Sequence, residues 1–340
     1  MKTEIIEINA LKRAGEIIRA GGLVAFPTET VYGLGADALN GAAVKKIFEA
    51  KGRPSDNPLI VHIADKNQIP LLAREMNAAA KKLIDAFMPG PFTIILKKQG
   101  NIPDEVTAGL DTVGIRFPSE KTAAEFIAAA KTPIAAPSAN ISGRPSPTRA
   151  EDVIFDMDGR IDAVINGGAC GVGVESTIVD ASGPVPVLLR PGGISLEELQ
   201  SVVPETIADK NIMQTVSENE KPRCPGMKYR HYAPKARVVV VEGEKEPVQK
   251  KIRELLEENK DKIAGVLTMY GNVYDSAVMI CGGATNTEYA KNLFAALRDF
   301  DKLGADIVFA EFNENDGCGA AVKNRLYKAA AHNIIRCCAK

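Results

Sequence analysis

Residues 134–148 read IAAPSANISGRPSPT, and this stretch decides the fold. Ile134 to Ala136 form a short apolar run typical of a buried strand. The run stops at Pro137, and Ser138, Asn140, Ser142, Gly143, Arg144 and Ser146 follow. A strand that ends in hydroxyls, an amide, a guanidinium and Gly/Pro turns is how open α/β sheets build sites, since ligands sit beyond the carboxyl ends of their strands. Residues 51–62, KGRPSDNPLIVH, have the mirrored order: Lys51, Arg53 and Asn57 come first, then a strand ending near His62. The two polar segments are expected to face each other across one pocket.

Outward from these segments, hydrophobic spacing predicts strands at 23–26, 59–63, 92–96, 113–117, 163–165, 176–180 and 187–189. Helices are expected at 10–20, closed by Gly21-Gly22, and at 42–50, 69–88, 123–130 and 195–202. PTETVYGLG, residues 27–35, reads as a loop. Together these make a mixed α/β domain over 1–205. Residues 206–236 break the rhythm: they are polar, carry Pro222, Pro225 and Pro234, and hold Lys221, Arg223, Lys228, Arg230 and Lys235, with Arg237 directly after and no acidic residue among these cations. A connection this long is functional or disordered. Its basic content favours a lid closing over an anion, against a plain flexible linker. From 237 to 340 the alternation restarts, with strands at 238–241, 264–269, 273–280 and 306–310 and helices at 246–259, 287–303 and 319–332. That is a smaller doubly wound, Rossmann-like α/β domain.

Charge is balanced, 42 Lys+Arg against 43 Asp+Glu, which argues against a protein whose main task is to coat nucleic acid. Trp is absent and aromatics make up 5%, which disfavours stacking platforms for single strands. The six cysteines include no CxxC pair, so a zinc site or disulfide framework has little support. No apolar run approaches the length of a membrane span, and a cytoplasmic protein with no membrane contact is expected. A GxxxxGK[ST] phosphate loop does not occur. The glycine clusters at 167–173 and 317–319 read as turns, although the second opens a helix where an anion could sit.

Lys51 and Arg53 directly follow a helix, where the macrodipole alone would favour cations. Arg116 and Arg190 at strand ends, with Arg144 after the Ser-Ala-Asn run, make a gathering of cations suited to a polyanion or carboxylate. His62 lies in an apolar strand, where a lone His is usually structural. Thr28, Glu29, Thr30 and Tyr32 supply hydroxyls and a carboxylate near a strand end, and Ser176-Thr177 does likewise. No Ser/His/Asp or Cys/His arrangement compels a covalent nucleophile. The inventory favours binding and charge stabilisation.

Taken together, PTETVYGLG, KGRPSDNPLIVHI, TVGIRFP, PSANISG, EST and LLRPG resemble the YrdC-like family of threonylcarbamoyl-AMP synthases, in the right order across the first two hundred or so residues. KYRHYAPKAR, followed by a small α/β domain, resembles the long, two-domain form. The resemblance implies a YrdC-like twisted mixed sheet and a reaction of L-threonine, bicarbonate (or CO2) and ATP, with Mg2+ on the phosphates, giving threonylcarbamoyl-AMP and diphosphate. A separate tRNA threonylcarbamoyl transferase would use the product to modify an adenosine beside the anticodon. By the same resemblance Lys51 and Arg53 would be catalytic. Arg53, Asn57, Thr112, Ala136, Ser138, Asn140, Ser146, Arg190 and Tyr232 would bind ATP, and Thr30, His62, Arg116 and Ser176 would bind L-threonine. Tyr229, His231 and Tyr232 would belong to the lid, and no metal would be held by the protein itself. Two rivals stand beside this reading: a carbamoyl-adenylate-forming enzyme of the same fold, and a double-stranded RNA or tRNA-binding module. A weak RNA contact is compatible with the synthase reading, and the second domain could also serve as a docking module for the transferase.

Overall fold

The computed structural model describes residues 2–210, 212, 222–226, 231–269, 272–275, 277–313 and 317–337. The chain divides into two compact units: Met1–Ser142 with Ser146–Tyr229, and Gly143–Pro145 with Arg230–Lys340.

The first unit is built on eleven strands: β1 (Glu4–Glu7), β2 (Val24–Phe26), β3 (Gly33–Asp37), β4 (Ile60–His62), β5 (Phe92–Lys97), β6 (Thr112–Arg116), β7 (Ile134–Ala136), β8 (Ala163–Asn166), β9 (Thr177–Asp180), β10 (Val187–Arg190) and β11 (Ile207–Ala208). They form one mixed sheet in the order β1-β8-β2-β3-β7-β4-β6-β5-β9-β10-β11. The central strands β2, β4 and β7 are three residues each and buried on both faces, and a polar turn stops each of them.

Side chains alternate across the sheet, and the two faces are covered differently. On one face Val61, Ile94, Ile115, Ala135 and Val164 pack against Val44, Ile47 and Phe48 of helix Gly41–Lys51, Leu83 and Ile84 of helix Ala78–Phe87, and Val153 of helix Ala150–Met157. On the other face, helices Leu11–Arg19 and Lys121–Ala130 cover Val24, Phe26, Ile134 and Ala136. Beyond them a smaller cluster of Ile60, Ile95, Ile178 and Leu189 is capped by Cys224 rather than by a helix. Each such buried aliphatic side chain contributes roughly 1.5–3 kcal/mol. The polar ground between these two clusters is where the site lies.

Three expectations need correction. The last third of the loop expected at 27–35, from Gly33 on, is strand, since β3 pairs antiparallel with β2 and β7. Its small residues carry little β propensity but permit close approach: a Cβ on Gly35 would lie 2.8 Å from Ile134 Cγ2. The helix expected at 69–88 is two, Ile69–Leu72 and Ala78–Phe87. Ala73 turns extended to bridge Lys98, and the Asn77 side chain caps the second helix through Ala80 N at 2.7 Å. The strand expected at 273–280 runs instead over Val278–Gly283. Strands β1 and β11 and the helix Ala150–Met157 were not read from the sequence at all.

The second unit carries a five-stranded parallel sheet of β12 (Arg237–Gly243), β13 (Ala264–Met269), β14 (Val278–Gly283), β15 (Ile307–Phe312) and β16 (Ile334–Cys337), ordered β14-β13-β15-β12-β16. Helices Lys245–Glu258, Asn286–Lys302 and Gly319–Ala329 connect the strands. Among the described residues no helix is long and apolar enough to cross a membrane.

Candidate active site

Strand register assembles the first half of the site. His62 in β4 is paired with Arg116 in β6, and Arg116 is paired with Thr93 in β5. Directly opposed residues share a face with Cβ atoms about 5 Å apart, so His62, Arg116 and Thr93 form one transverse row. Thr93 Oγ1 lies 2.7 Å from Ser176 Oγ, which brings Ser176 to the same row. Arg190 Nε and Nη2 donate to the Ser176 carbonyl at 3.1 and 3.0 Å, and Arg190 Nη1 donates to the Pro225 carbonyl at 3.3 Å. Arg190 thus fixes the position of Ser176.

His62 is wholly enclosed, its ring edge-on to Phe26 at 5.8 Å. Burial, reinforced by the Arg116 charge, pushes its pKa down to about 3, so the imidazole is neutral throughout the physiological range. Nδ1 lies 3.2 Å from the Ile60 carbonyl, which fits the tautomer protonated at Nδ1. Arg116, its side chain 5% exposed, faces Glu29 with Nη2 3.0 Å from Oε1. The pair is close but not aligned as a hydrogen bond. Nε and Nη2 of Arg116 and both oxygens of Glu29 are buried without a hydrogen-bond partner. Thr30, next in the chain, pairs its hydroxyl with Thr28 Oγ1 at 2.8 Å, and Thr28 donates onward to the Val31 carbonyl.

Two residues along β6 and on the same face, Gly114 lies opposite Ile60 and Ile95, and Ile60 lies opposite Ala136. Thr112 is the next residue on that face. Thr112, Gly114, Ile60, Ile95, Thr93 and Cys224 line a narrow cleft beside the His62–Arg116 row. The antiparallel pairing of β7 and β4 then carries Ser138 towards Pro58, and here the two polar segments meet.

Helix Gly41–Lys51 ends on Gly52 in the left-handed conformation, φ 59°, which lets the chain reverse so that Arg53 N reaches the Phe48 carbonyl at 3.0 Å. Lys51 is 2% exposed, and its ammonium donates to the main-chain carbonyls of Ser138 and Asn140. Its own carbonyl accepts Ser142 N at 2.9 Å. The Ser138 hydroxyl donates to Asn140 Oδ1, whose amide donates to the Ile141 carbonyl. Arg53 Nη2 reaches the Asn57 and Pro58 carbonyls at 3.2 and 3.3 Å. Asn57 is 0% exposed, and neither its Oδ1 nor its Nδ2 has a partner. Buried polar atoms are paired in more than nine cases in ten, so the orphaned atoms of Asn57, Arg116 and Glu29 mark a place made for something polar. Among the described residues no three His, Cys, Asp or Glu side chains converge as a metal cage.

The remaining expected residues are placed as follows. The Ser146 hydroxyl donates to Glu175 Oε1 at 2.7 Å, in a buried contact. Tyr232 is buried in the second unit, stacked on Phe294 at 5.1 Å with the Arg325 guanidinium 5.7 Å from its centroid. Of the lid residues, Arg223 pairs with Asp180 and Asp209, while Lys221, Lys228, Tyr229 and Arg230 lie outside the described residues. Sequence patterning does not single out Thr93, and it gives Glu29 and Glu175 (the first residue of the EST run) no role. A hydroxyl inside the apolar run Phe92–Leu96 was the available signal for Thr93.

Residues 16–192 match the Sua5/YciO/YrdC family model, described as "Telomere recombination". Residues 194–331 match the family model described as "Threonylcarbamoyl-AMP synthase, C-terminal domain". The chain is 48% identical over 333 residues to the threonylcarbamoyl-AMP synthase of Pyrococcus abyssi, covering 98% of this chain and 97% of that one. It is 47% identical over 331 residues to that of Bacillus subtilis, covering 96% and 94%. The crystal structure of P. abyssi Sua5 complexed with L-threonine superimposes with a TM-score of 0.94 at 47% identity, covering 98% of this chain and 99% of that one.

Proposed function

This chain belongs to the two-domain threonylcarbamoyl-AMP synthase family, and from that membership we propose that its first unit joins L-threonine, bicarbonate and ATP into threonylcarbamoyl-AMP, with release of diphosphate. The observation that carries the reading is one sheet face bearing two adjoining receptors. The His62–Arg116–Thr93/Ser176 row suits an amino-acid carboxylate, and the cleft beside it, lined by Ile60, Thr112 and Gly114 with Ala136 opposite Ile60 on the neighbouring strand, suits part of a nucleotide.

Arg116 offers its planar fork to the threonine carboxylate, with Ser176, Thr30 and neutral His62 as hydrogen-bonding neighbours for the rest of the amino acid. Arg53, Asn57, Ser138, Asn140, Ser146 and Arg190 are assigned to ATP on the family resemblance, Asn57 with the added support of its unpartnered amide; Tyr232, buried in the second unit, is left out of this set. A threonine N-carboxylate then attacks the α-phosphorus, so two anions must be held together and charge on the transferring group offset. The buried Lys51 charge does this from behind the Ser138–Asn140 loop, which it also holds in shape. Arg53 acts from the opposite segment.

A magnesium ion arriving on the phosphates of ATP would share in neutralising their charge. The product supplies a tRNA threonylcarbamoyl transferase in the cytoplasm.

The test is diphosphate release from ATP and Mg2+ with L-threonine and bicarbonate each omitted in turn. Release that needs both, and falls away with serine or valine, is expected. Release without threonine would move the reading to carbamoyl-adenylate chemistry.

A further inference from the structure

Glu29 and Arg116 are opposite charges held 3.0 Å apart in a buried place, yet neither completes the other's hydrogen bonds. A buried ion pair is favourable only when the remaining donors and acceptors are satisfied. Here Nε and Nη2 of Arg116 and both oxygens of Glu29 are left over. The group that completes them must bring acceptors for a guanidinium fork and a cationic donor for a carboxylate, set within one short span. The zwitterion of an α-amino acid is such a group.

The carboxylate is also carried on a held segment, because the Glu29 carbonyl accepts Val172 N at 2.7 Å and the Thr30 carbonyl accepts Gly173 N at 3.1 Å. The other members of the row, His62, Thr93 and Ser176, bring no negative charge.

We propose that Glu29 receives the α-ammonium group of the amino-acid substrate while Arg116 receives its carboxylate, and that Glu29 takes the first proton from that nitrogen. The proposal rests on the synthase reading above. An ammonium has no lone pair, so it cannot attack carbon until it is deprotonated. The proton passes from nitrogen to a Glu29 oxygen. Bicarbonate takes up a proton and loses its hydroxyl as water to give carbon dioxide; the freed amine forms the N–C bond to it, one C=O π pair moves to oxygen, and a second proton leaves nitrogen for water. The resulting carbamate is the nucleophile for the α-phosphorus. Glu29 is then a catalytic residue, and it also selects amino acids over plain carboxylates.

The experiment compares equilibrium binding of L-threonine and of 3-hydroxybutanoate, which keeps the carboxylate, hydroxyl and methyl but lacks the amino group, to the full-length wild type and to Glu29→Gln. Diphosphate release is measured on the same samples. The wild type should prefer threonine by at least about tenfold, the worth of one charged hydrogen bond. In Glu29→Gln the preference should fall to near unity through weaker threonine binding alone, and kcat should drop by about a hundredfold or more, as for loss of a general base. A merely structural role would weaken both ligands equally. Equal loss, or a retained preference with wild-type kcat, overturns the proposal. If Glu29→Gln does not fold, Glu29→Asp carries the same comparison, with threonine binding and kcat reduced and 3-hydroxybutanoate unaffected; equal losses overturn it there too. A wild type that releases no diphosphate in response to threonine and bicarbonate overturns the synthase reading instead.

Discussion

Acidification should destabilise the protein through His62 in a way that can be isolated. The imidazole is enclosed between Phe26 and the Arg116 charge, and its pKa falls from 6.5 in the unfolded chain to about 3 in the fold. A depressed histidine favours the fold while it is neutral, so the contribution is present above pH 6.5 and is lost as pH falls towards 3. At pH 5 the unfolded imidazole binds nearly one proton and the folded one nearly none. With about 1.4 kcal/mol for each pH unit below the unfolded value, that is about 2 kcal/mol, against a few tenths at pH 7. Below pH 3 the loss levels off near about 5 kcal/mol. The assay is urea unfolding of the wild type and of His62→Gln at pH 7 and pH 5. The substitution will itself destabilise at both pH values. What matters is the difference of differences, because all other titrating groups are common to both proteins. The wild type should lose about 2 kcal/mol more than the variant between the two pH values. Equal losses would refute the assignment of a neutral buried imidazole at this position.

Three further outcomes follow from the geometry. Lys51→Met should lower diphosphate release by at least about a hundredfold, and it should also lower folding stability by about 2–4 kcal/mol, because the Ser138 and Asn140 carbonyls lose their shared donor; kinetics and urea unfolding on one preparation check both. Gly114→Val places a branched side chain between Ile60 and Ile95 at the edge of the cleft; the KM for ATP should rise about tenfold or more while threonine binding changes little, read by titration of each ligand. Gly15→Ala puts a Cβ 2.6 Å from the Ala129 carbonyl where helix Leu11–Arg19 meets helix Lys121–Ala130; it should cost about 1–3 kcal/mol without changing turnover per folded molecule, as thermal unfolding and active-site titration would show.

Much of the protein was written in local patterns. The apolar run that dies at Pro137, the Lys-Gly-Arg after a helix and the repeated alternation of strand and helix are short-range signals. They located the polar segments and both α/β units, because burial, helix stops and turns act over a few residues. What local pattern could not carry was pairing. That β3 is a strand depends on Gly33 and Gly35 fitting against Phe26 and Ile134, which are near only in the folded sheet. The helix expected at 69–88 breaks because Ala73 finds Lys98 and Asn77 finds a cap. At the site the sequence named His62, Arg116 and Ser176 as single residues. Only the registers of β4, β6 and β5 set them in one row and brought in Thr93. Lys51 was read as a cation for a ligand, and the fold shows its amine beneath the Ser138–Asn140 carbonyls, which no spacing predicts. The sequence alone determined which chemical groups lie at the strand ends. The tertiary structure decided which of them touch and which stay buried without a partner, because cross-strand register and desolvation are properties of segments brought together from far apart in the chain.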